Sequence, residues 1–108
     1  MATQFAGNLT TSSTMNTPLS IAALLSAADF PYSGLVELII QPTGSGNLVM
    51  SSDSAIASEA AGFALTPTLS FPTLTMRGTQ QSPIQTAELY LLSGTASKAF
   101  SIIATAVA

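Results

Sequence analysis

The chain has 108 residues and a formal net charge of −3, and it contains neither cysteine nor histidine. This length suits one domain with a core that needs no cross-links, and the missing residue types exclude disulfides, thiol nucleophiles and zinc clusters. Only 6% of the residues are charged, and the two cations, Arg77 and Lys98, cannot form the basic patch that nucleic-acid binding needs.

Hydroxyl groups take the place of charges in this sequence. Serine and threonine account for 29 of the 108 residues. Covering such a surface with another protein strips water from few ions, so the desolvation cost is small. The composition therefore favours packing into an assembly.

Two sequence features argue against a membrane or an exported protein. The longest run of low polarity, around residues 21–28, is far shorter than the roughly 20 residues of a membrane-spanning helix. Residues 1–7 lack the basic start and apolar core of a secretory signal. We expect a protein that is made without export and does not contact a membrane.

The first third of the chain predicts an arm followed by a helix. Residues 1–16 are polar and have no clear period, which predicts a flexible N-terminal arm, or at most a poorly ordered first strand, ahead of one domain over residues 17–108. Thr17 and Pro18 are typical of a helix start. Apolar residues at helical spacing follow, until Pro31 and Gly34 break the pattern. We predict a short helix over about residues 19–28, with a buried strand as the alternative.

The middle of the chain predicts a first hairpin. Residues 35–41 are the best internal strand, and they are partly apolar on both faces, which indicates a central strand or a contact surface. Residues 42–47 read as a turn and residues 48–51 as a short returning strand. Residues 52–65 are small and polar and predict a surface loop.

Two further β segments complete the predicted fold. Residues 69–77 read as a strand whose faces switch near Pro72, where a proline marks a bulge or an edge. Residues 86–106 contain two β-like runs around Gly94 and predict a C-terminal hairpin. Five or six short strands and one helix predict a mostly β fold, either a small antiparallel β-sandwich or a jelly-roll-like barrel.

No pattern of residues specifies a chemical reaction. Asp53 and Glu59 are the only two acids close in sequence that could pair for glycoside hydrolysis or contribute to a calcium site, but their loop lacks the alternating acidic spacing of a calcium loop. No lysine follows the glycines of residues 44–46, as a phosphate-binding loop would require. Lys98 is the only base available to a serine nucleophile.

Two tyrosines complete the candidate groups. Tyr32 and Tyr90 could stack on sugars, although two tyrosines are more often packed in a core or an interface. We therefore expect no catalytic residue, no cofactor, no metal and no small-molecule substrate, and a protein that is not an enzyme.

Four stretches of the chain carry a resemblance to a known class of proteins. They are residues 34–41, which end in Ile-Gln, the turn and strand of residues 46–50, residues 65–71, and residues 87–96 with their Leu-Tyr-Leu-Leu-Ser run. In this pattern the sequence resembles small β-sandwich structural proteins of tailed bacteriophages, of the capsid decoration (cement) or neck and tail accessory kind. It departs from the pattern at Thr68, where a glycine is common, and at residues 50–53, where Val-Gly-Asp is often found.

The resemblance implies a structural role in a virion. It implies synthesis in the host cytoplasm, a homotrimer at symmetry points of the shell, and contacts with the major capsid protein or other virion proteins that stabilise the head. Residues 1–16 would then lie across a neighbouring subunit and become ordered on binding. A neck or tail accessory protein is one alternative. A carbohydrate- or receptor-binding sandwich is another, and it would need exposed aromatic platforms.

Overall fold

The computed structural model describes residues 4–66 and 72–107, and these residues form nine β-strands, one α-helix and two short 3-10 helices. The strands are β1 (Gln4–Thr10), β2 (Leu19–Ser20), β3 (Gly34–Pro42), β4 (Leu48–Ser51), β5 (Phe63–Leu65), β6 (Leu74–Arg77), β7 (Ile84–Gln85), β8 (Tyr90–Leu92) and β9 (Ala99–Ala106). The α-helix α1 covers Ile21–Ala27, and the 3-10 helices cover Glu59–Ala61 and Thr86–Glu88.

The strands form two antiparallel sheets. Sheet A has the order β1-β9-β3-β6, with β7 also paired to β3, and sheet B has the order β2-β8-β4-β5. Buried side chains of both sheets meet in one hydrophobic core, for example Leu38 and Phe100 from sheet A and Leu48 and Leu91 from sheet B. The predicted mostly β fold, a small sandwich with one short helix, is confirmed.

Strand β9 illustrates why these sequences form a sandwich. Phe100, Ile102, Ala104 and Ala106 are buried, while the residues between them are half-buried. This alternation with a period of two directs one face into the core and the other outward. Each large apolar side chain that is fully buried contributes about 1.5–3 kcal/mol to folding.

The helix prediction is confirmed, with a different cap. The hydroxyl of Ser20, rather than that of Thr17, accepts the N–H of Ala23 at 3.1 Å. Leu19 and Ser20 pair with β8 as strand β2, and this pairing delays the helix start until Ile21. The buried residues of α1 join the core.

Both predicted hairpins are wrong, although their strands exist. Strand β3 lies in sheet A and β4 in sheet B, and β8 and β9 are divided between the sheets in the same way. The connections 43–47 and 93–98 therefore cross from one sheet to the other. Glycine-containing polar segments suit such a crossing as well as they suit a hairpin turn, so the local pattern could not separate the two.

Of the two structures predicted for residues 1–16, a flexible arm or a first strand, the described residues show the strand. Residues 4–10 form β1, which pairs along its whole length with β9, from Gln4 opposite Thr105 to Thr10 opposite Ala99. The reason is apolar burial, because Phe5 and Leu9 lie on the inner face and pack against the core.

The predicted loop 52–65 is confirmed as irregular up to Ser58. It then contains the 3-10 helix Glu59–Ala61 and ends in the short strand β5. Of the strand predicted over 69–77, residues 74–77 are present as β6. The face switch predicted near Pro72 depends on Leu69 and Phe71, which lie with Thr68 among residues 67–71, outside the described residues. Among the described residues, no helix is long and apolar enough to cross a membrane.

Candidate functional site: the outer face of sheet A

The outer face of sheet A, which points away from the core, carries an apolar row of side chains that crosses four strands. The register places Ala6 opposite Ile103, Ile103 opposite Ile39, and Ile39 opposite Thr75. We call these four residues the central row. Ile39 and Ile103 are half-buried, and neither belongs to the hydrophobic core. Two β-branched side chains are thus partly exposed to solvent at the middle of the sheet.

Polar side chains on either side of the central row bond to one another across the strands. The bonds join Gln4 Nε2 to Thr105 Oγ1 (3.1 Å), Ser101 Oγ to Asn8 Oδ1 (2.7 Å) and Gln41 Nε2 to Thr73 Oγ1 (3.2 Å). Since these amides and hydroxyls already have partners within the sheet, covering them with another molecule leaves fewer polar groups unsatisfied.

One ion pair supplies the charges at the edge of this face. Arg77 Nε lies 3.8 Å from Glu37 Oε2, and the arginine side chain is largely exposed. Exposed pairs of this kind contribute about 0–1 kcal/mol. The two charges compensate each other, so the face is close to neutral.

An open depression lies on the same face. It is lined by Ile39, Gln41, Thr73, Ser101, Ile102 and Ile103. Its floor is aliphatic, and its rim is formed by an amide and hydroxyls. An apolar centre with a neutral polar rim is the arrangement found at the core of protein–protein contacts.

The sequence contains a signal for this face that the strand prediction used only in part. Residues 39–40 and 102–103 are both Ile-Ile pairs, and adjacent residues of a strand point to opposite faces. Each pair must therefore place one isoleucine outside. The pairing of Ile39 with Ile103, which brings the two outer side chains together, depends on strand order and could not be read from either segment alone.

The two candidate acids serve structural roles instead of forming a pair. Asp53 Oδ1 accepts the N–H of Ala55 at 2.9 Å within its own turn. Glu59 accepts two hydrogen bonds, from the Gly94 N–H at 2.6 Å and from Asn47 Nδ2 at 3.1 Å. Within the described residues no three acidic side chains come together as a metal site.

Lys98 holds the glycine-containing connection together. The side chain is only 3% exposed, and its Nζ donates to the carbonyl oxygens of Thr43 and Ser45, the latter at 2.8 Å. Gly44 and Gly46 both have positive φ angles, 72° and 96°, which turn the backbone around the ammonium group. Burial lowers the pKa of Lys98. Sequence reasoning missed this role because lysine is usually exposed.

The two tyrosines do not form an exposed platform. Tyr32 is half-buried and its ring lies 4.6 Å from that of Phe30, while Tyr90 is half-buried on β8. The most exposed aromatic ring among the described residues is that of Phe63, at 60%, on the short strand β5.

Among the described residues, the outer face of sheet A is therefore the candidate surface for binding a partner. Comparison with protein-family models, with curated proteins and with solved structures found no match for this chain.

Proposed function

We propose that this protein is a non-enzymatic structural subunit that packs against another protein through the outer face of sheet A. The observation that carries the proposal is the central row, in which Ile39 and Ile103 meet between two neutral polar rows. Covering apolar area is worth about 25 cal/mol per Å². A contact repeated many times in a symmetric assembly makes such small contributions significant.

The charge pattern favours a protein as the partner. Nucleic acid would require several cations facing the phosphates, whereas this face offers only Arg77, which is paired with Glu37. A carbohydrate module would present flat aromatic rings, whereas aliphatic side chains line this depression. An aliphatic and nearly neutral surface fits another protein surface of the same kind.

The specific form that we propose is a capsid decoration protein of a tailed bacteriophage, which binds the major capsid protein and stabilises the head. The resemblance of residues 34–41 to such proteins supports this, since these residues lie in strand β3, which carries Ile39 and Gln41. A neck or tail accessory protein would use the same surface on a different partner.

The test uses particles of the phage whose genome encodes the chain, prepared with its gene deleted. Purified protein added back should sediment with the particles to saturation and should raise the temperature at which they break open. An Ile103→Asp variant should bind at least about tenfold more weakly than the wild type, because the charge in the central row must lose its water on binding. Ser54→Asp, which adds the same charge to an exposed loop, should bind like the wild type.

Two results would overturn the proposal. One is the absence of the chain from purified wild-type particles. The other is binding that Ile103→Asp leaves unchanged. Binding on a glycan array that is lost in a Tyr90→Ala variant would support the carbohydrate-binding alternative instead.

A further inference from the structure

Strand β1 forms an open and unprotected edge of sheet A. It pairs with β9 on one side over seven residues without a bulge, and no strand among the described residues pairs with its other side. Natural sheets shorten their edge strands or protect them with charges, prolines or bulges. The other edge strands are short, at four residues for β6, two for β2 and three for β5. Strand β1 has neither a short length nor a charge or proline.

The ladder shows which backbone groups face the open side. The Thr11 N–H donates to the Lys98 carbonyl at 2.9 Å, which extends the β1–β9 pairing by one residue pair. In an antiparallel ladder the hydrogen-bonded pairs alternate. The N–H and C=O groups of every second residue therefore point away from β9. These residues are Gln4, Ala6, Asn8 and Thr10.

None of these outward groups is used within the described structure. No hydrogen bond from the other described residues reaches the backbone of residues 4–10 apart from the ladder with β9. The apolar side chains of β1 are also incompletely covered. Phe5 and Leu9 face the core but remain half-buried, because no further strand lies beside them.

We propose that β1 pairs antiparallel with β1 of a second copy, so that sheet A continues across a two-fold axis at Gly7. This register places Ala6 opposite Asn8 of the second copy and Gln4 opposite Thr10. The outward N–H and C=O groups of these residues then bond to each other. Phe5 faces Leu9 of the second copy on the core side of the sheet.

The sequence of β1 is complementary to itself in this register. Positions related by the axis always lie on the same face of the sheet, so apolar Phe5 meets apolar Leu9 and no polar side chain is forced inward. No charges oppose each other, because β1 has none.

Gly7 suits the position on the axis. In the proposed pairing, Gly7 lies opposite Gly7 of the second copy in a non-hydrogen-bonded pair, where the two Cα atoms approach to about 4.5 Å. A side chain at this position would meet the ring of Phe5, whose Cζ lies 3.2 Å from the place of a Cβ atom. The absence of a side chain leaves room for the aromatic rings of both copies beside the axis.

This pairing does not rest on the proposed function, since it uses the edge of the sheet and not its outer face. A β1 dimer would leave the central rows of both copies on one continuous surface. It also differs from the homotrimer that the resemblance implies, so the number of copies in solution separates the two.

The first test is the solution mass by light scattering between about 1 and 100 µM. We expect a concentration-dependent rise to twice the monomer mass of 11.0 kDa. An Ala6→Pro variant removes an outward N–H that the monomer does not use and should weaken the dimer by about tenfold or more. Ala6→Ser keeps this N–H and should dimerise like the wild type.

A second variant and a distance between two spin labels test the same pairing independently. Should Ala6→Pro fail to fold by circular dichroism, Ala6→Lys places a charge at the edge and should also weaken the dimer. Since the chain has no cysteine, a spin label on Thr75→Cys gives one distance per dimer. Seven strand spacings of about 4.8 Å separate the two labels, so we expect roughly 34 Å.

Three results would overturn the pairing of β1 with β1 of a second copy. They are a monomer at every concentration, a mass of three copies, and a dimer that keeps its affinity in both Ala6→Pro and Ala6→Lys. A label distance far from that expected for Thr75→Cys would also exclude this register.

Discussion

The outer faces of the two sheets differ in how far the described residues of the chain cover them. On sheet B, Val49 and Leu92 are fully buried because Ile56, itself 3% exposed, packs over them from the loop after β4. On sheet A, Ile39 and Ile103 stay half-buried. Both outer faces carry aliphatic side chains. The partial exposure of Ile39 and Ile103 therefore reflects the lack of a covering loop among the described residues, and not a difference in the residues of the strands.

Three contacts hold the covering loop on sheet B. Ile56 supplies the apolar contact, and the carboxylate of Glu59 accepts the N–H of Gly94 in the connection between β8 and β9. The backbone at Gly62 packs closely against Val49 and Met50 of β4. On the corresponding side of sheet A, the described residues provide bonds between the polar side chains of the sheet and the Glu37–Arg77 ion pair, but no covering loop.

The largest effect should come from truncating Ile56. Ile56→Ala removes a buried side chain and should lower the free energy of unfolding by about 2–5 kcal/mol. The matched variant Ile103→Ala changes the same residue type on the open face and should cost about 1 kcal/mol or less. Urea unfolding followed by circular dichroism measures both. Equal losses would mean that the two faces are equally covered.

The next effect concerns the carboxylate of Glu59. Glu59→Ala leaves the Gly94 N–H and the Asn47 amide without their acceptor and should lower the free energy of unfolding by about 1.5–3 kcal/mol. Asp53→Ala is the control. The exposed carboxylate of Asp53 accepts a local hydrogen bond from the N–H of Ala55, and its removal should lower the free energy of unfolding by about 0.5–1 kcal/mol. A larger loss in Asp53→Ala would contradict this assignment.

A third prediction concerns the close approach of Gly62. A Cβ atom there would lie 2.5 Å from Cγ1 of Val49 and 2.9 Å from the Met50 carbonyl oxygen. Gly62→Ala should therefore destabilise the protein by about 1–3 kcal/mol through overpacking. Hydrogen exchange should also show faster exchange in the covering loop, while the amides of β9 keep their protection relative to global unfolding. Unchanged stability would show that the loop is not tightly packed on the sheet.

The smallest effect is the pH dependence that Lys98 contributes where the chain crosses between the sheets. Because burial lowers its pKa below 10.5, the unfolded chain binds more protons between the two pKa values, and stability rises with pH in that window. The difference in unfolding free energy between wild type and Lys98→Met should thus grow in favour of the wild type as the pH rises towards 10.5. A difference in unfolding free energy that stays constant with pH would contradict a lowered pKa of Lys98.

The sequence predicted those parts of the fold that depend on neighbouring residues. The helix, β3 and β4 carry their own periodicity, so their presence could be inferred. For β1 the sequence indicates at most a poorly ordered strand, because Gly7 interrupts the apolar pattern between Phe5 and Leu9 and because its partner β9 lies at the far end of the chain. The crossing connections were read as hairpins for the same reason, since sheet membership is decided by contacts distant in sequence.

The candidate site was predictable in composition but not in location. Low charge and many hydroxyls indicated a protein that packs against others, and the two Ile-Ile pairs contained the apolar side chains of the central row. Their alignment depends on the register between β3 and β9. The buried ammonium of Lys98 could not be foreseen, because its carbonyl partners come from a connection more than fifty residues earlier in the chain.

The position of β9 has a consequence for how the protein is synthesised. Strand β9 lies between β1 and β3, so neither of these strands has its main partner until residues 99–106 have left the ribosome. Until then β1 has no partner among the described strands and β3 can pair only with the shorter strands β6 and β7, a state that favours pairing with other chains. Each copy therefore completes sheet A only after β9 has emerged.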